Sequence, residues 1–119
     1  MIDVVDYSSN TYMDKYFVVK AGSGQKRIFI FQQTGDLLYG LHNHTKKRVK
    51  LFSKFIPKEY TYYIFGYDPN WRPDETISSV TDDFAQIIKT EKLGAGAVLG
   101  MSFGGFVALT FATKYPELT

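Results

Sequence analysis

Ala97-Val98-Leu99-Gly100-Met101-Ser102-Phe103-Gly104-Gly105-Phe106-Val107-Ala108-Leu109 is the stretch on which the fold turns. A short apolar run leads into a serine between glycines, and an apolar helical segment follows. Gly100-x-Ser102-x-Gly104 has the G-x-S-x-G spacing, and its physics accounts for the glycines. A nucleophilic serine at the tip of a sharp strand-to-helix turn occupies a strained backbone conformation. Strand and helix pass so close there that side chains at the flanking positions would clash. The helix N-terminus then directs its N–H groups and positive dipole end at charge developing beside the serine. Ser102 is therefore the candidate nucleophile, with Gly100 and Gly104 structural at the elbow.

Working outward, Gly94-Ala95-Gly96 breaks the chain just before that strand. It lacks the G-x-G-x-x-G spacing and precedes a strand where a dinucleotide-binding turn follows one, so no nucleotide loop is read there. Residues 76–93 read as a helix with Val80, Phe84, Ile87 and Ile88 on one apolar face, capped by Ser78 or Ser79. Residues 60–66 are aromatic and β-branched, a strand. The turn-rich segment after them holds Asp68, read as a turn residue, and Trp71, which either lines a pocket or covers the sheet edge. Val49, Phe52, Phe55 and Ile56 fall at helical spacing before Pro57, which makes the basic run 46–50 the wet side of an amphipathic helix. His42 and His44 have no third ligand in sight, so no metal site is read from them.

Residues 16–20 and 27–32 are two further strands, the second apolar enough to be buried on both faces. Gly and Ser residues join them, which by local pattern is a hairpin. Residues 1–15 hold an edge strand. The closing helix, residues 103–115, is apolar on nearly all sides and is expected to be buried. The composition is that of a globular domain: 119 residues, 45% hydrophobic, 22% charged, net charge +2, no cysteine. That excludes a disulfide scaffold or thiolate metal site and forces no nucleic-acid partner. No apolar run approaches the ~20 residues of a membrane span. Acids at Asp3 and Asp6 stand where a signal peptide carries bases, so a cytoplasmic location is expected.

Residues 98–116 resemble the nucleophile elbow and following helix of the α/β-hydrolase superfamily, which close on an aromatic-Pro-Glu step like Tyr115-Pro116-Glu117. Ala21-Gly22-Ser23-Gly24 before Ile28-Phe29-Ile30-Phe31 resembles the family's approach to its oxyanion strand. The resemblance implies an α/β fold, a mostly parallel sheet with flanking helices, in which another strand lies between the two that look like a hairpin. It implies acyl transfer to water, no cofactor, and a small-molecule acyl substrate. One oxyanion donor would be the Phe103 amide. The other would be the amide of Thr34 or Gln33, in a loop where this chain has Gln32-Gln33 and the family usually has His-Gly.

In that family the acid and histidine follow the serine, yet residues 103–119 contain no histidine. Residues 1–119 are accordingly expected to be the N-terminal portion of one α/β-hydrolase domain. The exposed sheet edge would then meet the missing C-terminal half or a second copy. The alternative is a non-catalytic α/β-hydrolase-like binding module that keeps the elbow only as packing.

Overall fold

A computed structural model of the chain describes residues 6–33, 44–68, 70 and 75–119. Five strands, β1 (Tyr7–Tyr12), β2 (Tyr16–Gly22), β3 (Lys26–Phe31), β4 (Tyr60–Phe65) and β5 (Ala97–Gly100), form one sheet. Three helices, α1 (Thr45–Ser53), α2 (Ile77–Thr90) and α3 (Phe103–Lys114), flank it, and a 3-10 turn, Pro116–Leu118, follows. The strand order is β1-β2-β4-β3-β5. β4 therefore lies between β2 and β3, as the resemblance implied and the local hairpin pattern did not. β3 runs parallel to β4 and β5, while β2 is antiparallel to β4 and to β1. Four strands thus share one direction and only β2 is reversed.

Alternation along the strands divides the core between two faces. Phe29 and Phe31 of β3 join Tyr16, Val18, Tyr63 and Phe65 under α2 and α3, and Ile30 joins Val19, Ala21, Tyr62 and Ile64 under α1. β3 is buried on both sides because parallel strands joined by crossover helices are covered on both faces. Phe84 of α2 stacks on Phe31 with ring centroids 5.4 Å apart and planes 5° from parallel. Phe111 of α3 meets Phe31 at 5.3 Å. These rings clamp the carboxyl end of β3 between the two helices, beside the elbow.

Three expectations need correction. Phe55 is not in the core: it is 74% exposed, while Val49, Phe52 and the half-buried Ile56 face the sheet. The apolar spacing runs past the end of α1 at Ser53, where the chain turns and carries Phe55 outward. The cap of α2 is Thr76, one turn earlier than read, and it forms a reciprocal capping box with Ser79. α3 is buried only along Gly104, Val107 and Phe111. Phe106 and Leu109 stand 66% and 68% exposed on its other side. That side stays uncovered among the described residues, whose sheet ends at β5.

Candidate active site

The elbow forms where β5 ends. Gly100 pairs with Phe31 in the sheet, and the next amide, Met101 N–H, donates to the Phe31 carbonyl at 3.1 Å. Ser102 then takes φ 56° and ψ −115° before α3 begins at Phe103. For a residue with a Cβ this is a sparsely populated region that costs about 1–3 kcal/mol, which the surrounding packing must hold in place. The turn is closed behind the serine by Gly104 N–H to the Met101 carbonyl at 2.9 Å and Gly105 N–H to the Ser102 carbonyl at 2.8 Å. Ser102 itself is exposed, and its hydroxyl makes no capping bond to α3.

The flanking glycines are set by close approach. A Cβ on Gly100 would lie 2.2 Å from the Gly104 carbonyl oxygen. One on Gly104 would lie 2.0 Å from the Phe31 oxygen and 2.7 Å from the Gln32 oxygen. α3 thus starts in backbone contact with the exit of β3, and this brings the turn at Ser102 beside Phe31 and Gln32. The carboxyl end of a central parallel strand is where open α/β sheets place ligands.

Gln33 is half-buried. It is not among the residues with positive φ, so this position makes no demand that only glycine could meet. Thr34 lies outside the described residues, as do His42 and Trp71. Gln32 is fully buried, and neither its Oε1 nor its Nε2 has a partner among the described residues. Tyr67, which sequence pattern left unassigned in a turn-rich segment, is part of the floor. Its hydroxyl donates to the Gln32 carbonyl at 2.7 Å, and its ring meets Phe103 edge-on at 5.6 Å. One side chain so ties the end of β4 to both walls of the elbow. An aromatic two residues past a buried strand was the available signal. Asp68 accepts the Asn70 amide at 2.9 Å, the geometry of a turn residue.

Behind the site, polar ties fix α2 and α3. Lys114 Nζ meets Asp82 Oδ1 at 2.6 Å, and the Tyr115 hydroxyl donates to the same carboxylate. Lys114 first, and Tyr115 with it, hold the Asp82 carboxyl below the usual range, while Asp82 pushes the Tyr115 phenol up to about 12. The Tyr16 hydroxyl, raised by burial and by Asp83, donates to Asp83 at 2.5 Å. None of these groups reaches the elbow turn. Among the described residues there is no group of three His, Asp or Glu able to hold a metal, and no helix long and apolar enough to cross a membrane.

Solved structures of hydrolases share this fold. A predicted CIB-like hydrolase from Thermoplasma acidophilum superposes over 98% of the chain with a TM-score of 0.67 at 12% identity. An epoxide hydrolase from Vigna radiata does so over 96% with 0.65 at 14%. An α/β hydrolase enzyme from the metagenome of Mar Chica lagoon sediments does so over 93% with 0.64 at 15%. At these identities the likeness is one of fold, and the fold is that of the α/β-hydrolases. The chain spans 59%, 37% and 48% of those three structures. No protein-family model and no curated protein matches the sequence.

Proposed function

We propose that Ser102 is the nucleophile of a serine hydrolase acting on a small ester-like substrate. The observation that carries this is an exposed serine held at φ 56°, ψ −115° between two glycines that backbone contact forbids from bearing a side chain. Nothing in the packing of a plain strand-to-helix connection asks for that conformation. Ser102 Oγ attacks the acyl carbonyl, the carbonyl π pair becomes an oxyanion, and the serine proton passes to a base. The Phe103 amide and that of Thr34 or Gln33 hold the oxyanion. Collapse expels the alcohol with a proton, and water then releases the acid from the acyl-serine.

The base and its orienting acid are assigned to a C-terminal half of the same domain. The open outer edge of β5 and the share of the matched structures that the chain spans support that division. The test is ester hydrolysis by the full polypeptide. Ser102→Ala removes about 10⁶-fold of turnover in this class. Activity within a few-fold of the parent after that substitution rules the assignment out.

The second reading, a binding module without catalysis, draws on Gln32-Gln33, whose bulk replaces the expected His-Gly at the oxyanion loop. Binding of a boronic acid transition-state analogue separates the two. Saturable binding lost in Ser102→Ala belongs to the enzyme, and its absence to the module.

A further inference from the structure

We propose that the outer face of α1 docks the protein on anionic lipid surfaces. The charge of the chain is segregated. Residues 45–58 carry six Lys and Arg and no acid, leaving eight Lys and Arg against twelve Asp and Glu elsewhere. A molecule of net charge +2 thus has one strongly cationic segment on an otherwise acidic body. α1 packs Val49 and Phe52 onto the sheet, which turns Lys47, Lys50 and Lys54 outward as one row. All three are exposed, and none forms an ion pair among the described residues.

Two apolar side chains border that row. Leu51 is exposed one turn from Lys47, and Phe55 is the most exposed large apolar side chain among the described residues. The hydrogen bonds Lys54 N–H to Leu51, and Phe55 and Ile56 N–H to Phe52, continue the helical turn through this segment. Phe55 directly follows Lys54 and stands out of the core, so it borders the lysine row. Cations alone would suit any polyanion. Cations with an aromatic and an aliphatic side chain beside them suit a layer that is anionic at its surface and apolar just below it, which is a membrane interface. The lysine stems lie against the apolar boundary while their ammonium groups stay with the headgroups. The chain after α1 leads into the start of β4, at the end of the sheet opposite the carboxyl ends of β3 and β5, so Lys54 and Phe55 lie away from Ser102. Docking and the hydrolase reading are thus tested by separate residues.

Co-sedimentation of the full polypeptide with lipid vesicles tests the inference. Binding is expected to phosphatidylcholine vesicles holding about a third phosphatidylserine, and not to phosphatidylcholine alone. It should weaken as salt is raised from low ionic strength. Each lysine charge near an anionic leaflet changes partition about fivefold, so Lys47→Gln/Lys50→Gln/Lys54→Gln should weaken binding by about 100-fold. Phe55→Ser should weaken it about tenfold with the salt dependence retained. All four positions are exposed, so circular dichroism and melting should match the parent. The proposal is overturned by failure to bind the anionic vesicles at low salt, or by binding that the triple variant leaves unchanged. It is equally overturned by association with duplex DNA that exceeds vesicle binding and is indifferent to Phe55→Ser.

Discussion

Two adjacent glycines at the start of α3 should respond to alanine in opposite directions. At Gly104 an added methyl would lie 2.0 Å from the Phe31 carbonyl oxygen, 2.6 Å from its carbon and 2.7 Å from the Gln32 oxygen. Real Cβ contacts essentially never fall below 3.0 Å, so α3 and the end of β3 must part by about 1 Å. Backbone on both sides cannot swing away as a side chain would. Overpacking of this kind costs about 1–3 kcal/mol of stability. The same displacement shifts Ser102 and Phe103 away from the exit of β3, and a misplacement near 1 Å lowers rate by about 10²-fold.

At Gly105 an added methyl meets nothing within 4 Å. Alanine there stabilises by about 0.5–1 kcal/mol through the backbone entropy that glycine loses in a helix. The assays are urea unfolding and the rate of fluorophosphonate labelling, both on the full polypeptide. Equal effects of Gly104→Ala and Gly105→Ala, of either sign, would refute the claim that contact with β3 selects the glycine.

Thr76→Ala should cost α2 about 1 kcal/mol in unfolding experiments, because Thr76 and Ser79 satisfy each other's backbone amides. Its effect should exceed that of Ser78→Ala, the position sequence pattern also offered as a cap. Asp82 supplies a pH dependence: its carboxyl is held down in the folded state, so its stabilisation is complete above the ordinary carboxylate pKa of about 3.9 and fades as pH falls through the lower folded value. Lys114→Met should flatten that acid limb of Tm against pH while leaving neutral-pH stability within about 0.5–1 kcal/mol, as befits a half-exposed pair. Residues 1–119 expressed alone should self-associate or bind hydrophobic dye through β5, Phe106 and Leu109. Gel filtration showing a dye-silent monomer would contradict this, and Phe106→Ser/Leu109→Ser should reduce the dye signal.

The elbow was legible because its demands are local: three residues of a five-residue pattern, a strand before and a helix after. The apolar faces of β3 and α2 were legible for a like reason, since period 2 and period 3.6 write burial directly into spacing. Strand order was not. Residues 16–31 carry the pattern of a hairpin, and only a contact across some forty residues, β2 with β4, separates the pair. Phe55 misled because spacing persists after a helix has ended, while exposure depends on where the chain turns. Phe106 and Leu109 misled differently: an all-apolar helix reads as buried, yet burial needs a neighbour, and the described residues put none over that side of α3. In the site, the Gly104 contact with β3 and the place of Tyr67 required coordinates. The strain at Ser102 could be anticipated from the glycines around it.

The most direct measurement is peptide mapping by mass spectrometry after fluorophosphonate treatment of the full polypeptide. A single phosphonyl adduct on Ser102, absent from the Ser102→Ala protein, is the predicted result. An adduct on another residue, or labelling that persists in Ser102→Ala, would contradict the assignment of the nucleophile.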